Sequence, residues 1–263
     1  MRIASWNINS VRLRLDLVIR FLEEVAPDVL CLQETKTPDE HFPAAALAER
    51  GYGHQLIHGM KGYNGVAMVA RVPLSAPQRH DHCGRQDCRH IGASLPDGTE
   101  VHTLYVPSGG DVPDIVQNEK FAHKLQFLEE MADWWAGHGV PERPLVLTGD
   151  LNVAPGEHDV WSHRALLEVV SHTPAETERL AAVQATLGWI DAPRRFVPPT
   201  QKLYSWWSYR ARDWAVSNRG RRIDHIWVTP ALAGRLIGSE ILCAARGWAP
   251  KPSDHVPLWV DLA

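Results

Sequence analysis

Polar and acidic residues in this chain recur at the ends of apolar runs. Asn7 and Asn9 lie in SWNIN, Glu34 follows VLCLQ, Tyr105 lies in LYVPSGG and Asp150 and Asn152 follow PLVLTG. Asp224 lies in RRIDHIWV, and Asp254-His255 precedes VPLWVDL. Carboxylates can hold a metal ion, asparagine amides donate hydrogen bonds without adding charge, and histidine titrates near neutral pH. Together these types suit hydrolysis at an anionic centre, where charge building on oxygen has to be offset. Each alone is weak, because an Asp after a strand is more often a turn former or helix cap than a catalytic group. The signal is their repetition, strand after strand.

For these groups to act together, several strands must end at one cleft. RIASWNIN reads as a short strand with Ile3, Ser5, Asn7 and Asn9 on one face and Ala4, Trp6 and Ile8 on the other. Ser10 can cap a helix running to about Ala26, with Val11, Leu15, Val18, Leu22 and Val25 as its buried stripe. Pro27-Asp28 ends that helix and VLCLQ follows as a buried strand. Further strands are expected over 53–58, 65–70, 90–95 and 100–106, set apart by turn formers such as Pro96-Asp97-Gly98. A second long helix is expected over 115–136, with Phe121, Leu125, Leu128, Ala132 and Trp135 as its stripe. Strand 144–148 then leads into Gly149-Asp150, 176–187 reads as helical, and 223–228 and 256–262 read as strands. With no internal repeat, linker or composition break, 1–263 reads as a single domain. The irregular order of strands and helices argues against a TIM barrel or a Rossmann sheet. An α/β fold of two sheets packed face to face, with helices outside, fits better.

The 263 residues are 44% hydrophobic and 22% charged, an ordinary globular composition. No apolar run approaches the ~20 residues of a membrane span, and MRIASWNINS lacks the layout of a signal peptide. We therefore expect a cytosolic protein with no membrane partner, and nothing demands more than a monomer. Cys31, Cys83, Cys88 and Cys243 read as free thiols, Cys31 as a core residue. The net charge of -4 gives no global support for nucleic-acid binding. Basic residues are nevertheless concentrated over 194–222: Arg194, Arg195, Lys202, Arg210, Arg212, Arg219, Arg221 and Arg222, against the single acid Asp213. A basic face on a mildly acidic body is compatible with phosphate binding. His80, His82, Cys83, Cys88 and His90 follow the spacing H-x-H-C-x4-C-x-H, which matches no regular structural-zinc pattern. We read that cluster as loop chemistry between two strands.

The ordered segments SWNINSVR, LCLQETK, LYVPSGG, LTGDLNVAP, RIDHIWV and PSDHVPL resemble the signature blocks of the exonuclease III family of apurinic/apyrimidinic endonucleases, within the endonuclease/exonuclease/phosphatase superfamily. The blocks run from Ser5 to Leu258 in the family's order. The resemblance implies a four-layered α/β sandwich, two packed mixed β-sheets flanked by helices. It also implies hydrolysis of DNA phosphodiesters with magnesium as cofactor, manganese being able to substitute. Glu34 resembles the carboxylate that holds the metal, with Asn9 as a second contact. Asp150 resembles the residue that orients or deprotonates the attacking water, and Asn7 and Asn152 the amides placed around it. His255 resembles the histidine on the scissile phosphate, Asp224 the carboxylate that fixes its ring, and Asp254 a support on the metal side. Tyr105 would contact phosphate or transfer a proton, so the general base is either Asp150 or Tyr105.

The implied partner is double-stranded DNA, cut 5′ to abasic sites, at 3′ ends, or both. The segment YSWWSYRARDWAVSNRGRRIDH supports nucleic acid on its own terms, since rings stack or wall a sugar pocket while guanidiniums bind phosphate. By resemblance Trp206 and Ile223 wall that pocket, and Arg210, Arg212 and Arg219 face phosphates. Arg221 stands where the family usually has Trp or Leu beside the pocket. Ser108 replaces the asparagine of YVPN, and Asp111 stands where some members place a DNA-inserting arginine. Two other readings compete: a silent nucleic-acid-binding regulator of the same fold, and a phosphoesterase acting on lipid or inositol phosphates. Retention of Glu34, Asp150, Asn152, Asp224 and His255 disfavours the first, and the Trp/Arg loop disfavours the second.

Overall fold

The computed structural model describes residues 1–211 and 213–263, so Arg212 lies outside the described residues. The chain opens with strand β1 (Arg2–Asn7), helix α1 (Leu15–Val25), strand β2 (Val29–Gln33) and the short helix α2 (Ala44–Ala48). Next come β3 (His54–His58), β4 (Val66–Ala70), β5 (Ser75–His82), β6 (Arg85–Ser94) and β7 (Glu100–Tyr105). The middle holds the long helix α3 (Glu119–His138), β8 (Leu145–Asp150), α4 (His163–Leu166) and α5 (Pro174–Thr186). Short pieces follow: β9 (Ile190–Asp191), α6 (Ala192–Phe196), β10 (Trp206–Trp207), α7 (Trp214–Ser217), β11 (Gly220–Arg221) and β12 (Asp224–Val228). Strands β13 (Leu236–Ile241) and β14 (Leu258–Leu262) complete the series.

The strands form two six-stranded mixed sheets, in the orders β13-β14-β1-β2-β4-β3 and β5-β6-β7-β8-β12-β9, with β10 and β11 as a separate pair. Period-two alternation gives each sheet two faces. The inner faces meet in one apolar layer, where Ile3, Val29, Met68 and Val260 of the first sheet pack with Ile91, Val101, Val146 and Ile226 of the second. Gln33 crosses that layer, donating to Ser5 Oγ at 3.0 Å and to Thr103 Oγ1 at 2.8 Å. On the far side of the first sheet Trp6 packs edge-on against Phe21 of α1, with ring centroids 5.7 Å apart. On the far side of the second, Leu104, Leu145 and Leu147 pack against Phe127, Leu128, Met131 and Trp135 of α3 and Leu180 and Val183 of α5. Helix, sheet, sheet, helix is the four-layered architecture expected.

The differences from expectation have local causes. Helix α1 starts at Leu15, and Arg14 rather than Ser10 stands at its cap. The backbone of Ser10 and Val11 is instead committed to the end of β2, donating to the carbonyls of Glu34 and Thr35 at 2.7 and 3.2 Å. The buried face of α1 is Leu17, Val18, Phe21 and Leu22, while Leu15 and Val25 are only half-buried. Helix α3 runs 119–138 because the Asn118 side chain caps it by accepting from Lys120 N. Strand β5 was not expected. SAPQRHDH is polar because β5 is an edge strand with one side in water. His80 and His82 therefore lie on a strand paired with that of His90 and not in a loop, which corrects the reading of the cluster as loop chemistry. Burial accounts for Cys31, whose thiol is pushed up to about 12 in the inner layer.

Strands β7 and β8 run parallel with Tyr105 beside Asp150, and β12 runs antiparallel to β8 with Asp224 beside Asp150. Gly149 makes the first of these pairings possible. Its φ is +138°, and a Cβ there would stand 2.0 Å from the carbonyl oxygen of Leu104 in β7. Gly149→Ala is expected to cost on the order of 3 kcal/mol from backbone strain and overpacking together. The urea midpoint measures this, and an unshifted midpoint would mean that β7 gives way freely.

Candidate active site

All the strands that carry candidate groups deliver them to one end of the sandwich. β1 and β2 run parallel, as do β7 and β8, so Asn7, Glu34, Tyr105 and Asp150 arise at matching strand ends. β12 and β14 run antiparallel to β8 and β1, so Asp224 and His255 arrive there from strand beginnings. Just past the strand ends the chain turns sharply: Asn9, Glu34, Lys36 and Asn152 have φ of 47°, 51°, 52° and 53°. Asparagine tolerates this left-handed region, but for Glu and Lys it costs of order 1–3 kcal/mol. Hydrogen bonds from Ser10 N to Glu34 O and from Thr35 N to Gly65 O hold the turn at Glu34.

Asn7 stands at the centre of the cluster. Its Nδ2 donates to Glu34 Oε1 at 2.9 Å and to Asp150 Oδ2 at 2.8 Å, and its Oδ1 accepts from Asn9 N at 3.0 Å. Asp150 also accepts from Asn152 N at 2.9 Å and from Asn152 Nδ2 at 3.2 Å. The buried Lys124 holds Asn152 in turn, donating to its carbonyl at 2.7 Å while paired with Glu176. His255 Nδ1 lies 2.9 Å from Asp224 Oδ2, and Nε2 lies 3.7 Å from Asp150 Oδ2. Ser205 Oγ donates to Asp224 at 2.6 Å and fixes that carboxylate. Asp254 accepts from Asn9 Nδ2 and Trp206 Nε1, both at 3.0 Å.

These contacts set the charges. Burial alone would lower the His255 pKa, but the carboxylates of Asp224 and Asp150 raise it to about 10. Burial pushes Asp150 well above the usual carboxylate range, against the pull of His255. Burial likewise disfavours ionised Asp254, but His255 and the donors Asn9 and Trp206 prevail and hold it low. Burial, with Glu34 and Asp150 nearby, keeps Tyr105 a neutral phenol far past its ordinary range. One ligand atom from each of Glu34, Asp150 and His255 lies within 4.8 Å of the others, the spacing of a group that could hold a metal ion. The oxygen donors and the surplus of carboxylates over imidazole suit a hard divalent cation.

A groove of about 820 Å³ opens over this floor, lined by Glu34, Tyr105, Asp150, Asn152, Asp254 and His255. One wall is apolar: Ile223 packs with Val160 and Leu166, and half-buried Trp206 packs against them. Arg221 does not face open water. Its Nη1 donates to Val170 O at 2.8 Å and to Ser171 Oγ at 2.6 Å, and its guanidinium lies 5.3 Å from the Trp206 ring. Arg219 lies over Trp161 at 4.7 Å, and exposed Arg210 lines the same groove. The basic face is smaller than its sequence suggests. Arg222 is buried on Asp159 and Asp191 at 2.6 and 2.8 Å, and Arg194 also pairs with Asp159, at 2.5 Å. Trp207 is buried.

Besides Lys124 and Ser205, two more supporting residues escaped the sequence reading. Lys36 pairs with Glu34 Oε2 at 2.6 Å and donates to Asn9 Oδ1 at 2.6 Å; its position in LCLQETK, two residues after Glu34, was the available signal. Arg14 reaches back to the carbonyls of Asn9 and of Ile8, the latter at 3.3 Å, and nothing in its local sequence marks it.

Residues 4–255 match the model of the Endonuclease/Exonuclease/phosphatase family, and the chain belongs to that family, in its exonuclease III branch. It is similar to the exodeoxyribonuclease III of Haemophilus influenzae, at 30% identity over 99% of both chains. Its fold superposes on an AP endonuclease from Archaeoglobus fulgidus with a TM-score of 0.92 and 33% identity, covering 100% of this chain and 99% of that one. The 3′ phosphatase NExo from Neisseria, bound to a product DNA hairpin, gives 0.90 and 31% over 100% and 99%. Among the described residues, no helix is long and apolar enough to cross a membrane.

The His255–Asp224 pair has a pH signature. With its folded pKa above the ordinary 6.5, it adds stability below that value and loses it as pH rises through about 10. In Asp224→Asn the His255 pKa is expected to fall by roughly 1–3 units. Carbon-13 NMR titration of the ring reads this directly, and an unmoved titration would assign the shift to another charge.

Proposed function

We propose that the chain is a magnesium-dependent DNA-repair phosphodiesterase that incises duplex DNA 5′ to abasic sites and also trims 3′ ends. The observation that carries this reading is the chain Asp224–His255–Asp150 beside Asn7 and Glu34, on the floor of a groove walled by Trp206 and Ile223. The exodeoxyribonuclease III, AP endonuclease and DNA-bound 3′ phosphatase among the similar proteins support DNA as substrate. Its free thiols suit a reducing compartment, the cytosol.

In this mechanism Asp150 orients a water and takes its proton, and burial makes it a stronger base than an exposed carboxylate. Water oxygen bonds to phosphorus as the P–O3′ bond breaks, and the departing O3′ takes a proton from solvent, leaving a 3′-hydroxyl and a 5′-phosphate. Imidazolium at His255, oriented by Asp224, donates to a phosphoryl oxygen, as does the neutral Tyr105 hydroxyl, while the Asn152 amide donates to Val106 O and Asp150 Oδ2 and positions the base. That protonated phenol favours Asp150 over Tyr105 as the base. Glu34 would hold magnesium, with Asn9 and Asp254 beside it, and the bound ion would neutralise charge on the phosphoryl oxygens. Trp206 and Ile223 would wall the base-less sugar, with Arg210 and Arg219 on flanking phosphates. Arg221, drawn across Trp206, narrows that pocket and gives it a polar edge.

The test is a labelled duplex with one abasic-site analogue, beside an undamaged control, with magnesium or EDTA. Magnesium-dependent cutting at the analogue is expected. Asp150→Asn should lower turnover by about 10²–10⁴-fold while leaving DNA binding in a gel shift intact, and Glu34→Ala should raise the magnesium requirement. Near-normal turnover in Asp150→Asn would overturn the role assignment. On the same duplexes Arg221→Leu should shift the balance from 3′-end trimming toward cutting at the lesion. An unchanged ratio would mean that the Arg221 side chain does not restrict the sugar pocket.

A further inference from the structure

The outer face of β5, β6 and β7, beneath the C-terminal end of α3, carries a polar cluster that the groove does not use. Strand register places Gly92 beside His102, Ser94 beside Glu100, and His80 beside His90. Gly92 leaves space for the neighbouring imidazole, since a Cβ there would stand 2.3 Å from His102 Cε1. His138, on the last turn of α3, reaches the same carboxylate. Glu100 Oε1 thus accepts from His102 Nε2 at 2.7 Å, His138 Nε2 at 2.8 Å and Gln78 Nε2 at 3.1 Å, while Arg143 holds Oε2. Three N–H donors converge on one oxygen that has two lone pairs. A cation at that point removes the crowding, because it replaces two of the donated protons.

We propose that Glu100, His102 and His138 form a second metal site, with zinc as its ion, bound by Glu100 Oε1 and the two Nε2 atoms. These ligand atoms lie within 4.8 Å of one another. Two imidazoles and one carboxylate suit zinc, whereas magnesium prefers oxygen donors. The surroundings supply the second layer of support that metal-bound histidines require. With Nε2 on the ion, His102 carries its proton on Nδ1, 3.0 Å from His90 Nε2, and His90 Nδ1 lies 3.0 Å from His82 Nε2. One tautomer throughout satisfies that whole relay. Trp134 stacks on the His138 ring at 4.1 Å and 15°. His102 is inaccessible to water, whereas the His138 side chain is 20% exposed and gives the ion an entry path. The bound ion ties the end of α3 to β7 and, through the relay, to the edge hairpin β5–β6. His82 and His90 of the H-x-H-C-x4-C-x-H run thus act as orienting groups, and Cys83 and Cys88 stand outside the ligand set.

The test uses full-length protein carrying Glu34→Gln, so that the groove's own metal group is weakened. Chelator-stripped protein is loaded with zinc, the ion is counted by mass spectrometry, and affinity is read by competition with a chromogenic chelator. One zinc per chain is expected, with affinity falling at least about tenfold when His138→Gln is added. His138 sits at the surface end of α3, and near-UV circular dichroism checks that the double variant stays folded. Cobalt loading gives a second readout, a four-coordinate visible absorption that should disappear with His138→Gln. No zinc bound by the Glu34→Gln protein, or binding indifferent to His138→Gln in folded protein, overturns the site.

Discussion

Asp150, Asp224 and His255 are almost inaccessible to water, and removing such charges from water costs several kcal/mol apiece unless partners answer them. The way this cost is met organises the rest of the fold. Asp224 is answered by His255 and Ser205, Asp150 by Asn7, Asn152 and the far side of the same imidazole. Those partners come from β1, the turn after β8 and the segments before β10 and β14, so both sheets must be in register before every charge is satisfied. The inner apolar layer and the Gln33 bridge between sheets fix that register.

The turns beyond the strands show the same logic. Glu34 and Asn152 project into the groove only because the chain leaves β2 and β8 in the left-handed region. The helix that follows β1 starts late because Ser10 and Val11 hold down the Glu34 turn instead of opening the helix. Local preference is overridden here by the needs of the site, which is where such departures are expected in a natural protein. The Lys36 pair with Glu34 and the Lys124 anchor under Asn152 keep these turns from relaxing.

Much of this was legible in the sequence because it is local. The motif blocks name groups at one end or the other of apolar runs, and a strand's ends can be read from such a run. Asn7, Glu34, Asp150, Asp224 and His255 were found that way, and their contacts follow from strand direction. What escaped depends on long-range pairing. Arg222 and Arg194 read as a basic face, yet both turn inward to Asp159, 63 and 35 residues away. Strand β5 escaped because an edge strand needs no apolar alternation on its wet side. His102 of β7 and His138 of α3 acquire a common partner, Glu100, only when α3 packs over that sheet.

If the buried carboxylates are arranged around a position for a divalent cation, magnesium should stabilise the folded chain. Denaturant unfolding at constant ionic strength, with increasing magnesium, measures this directly. Stability is expected to rise by about 1.4 kcal/mol for each tenfold of magnesium beyond the dissociation constant, and the rise should be lost in Glu34→Gln. A midpoint that ignores magnesium over the whole range would contradict the arrangement, and leave Lys36 and His255 as the counter-charges of Glu34 and Asp150.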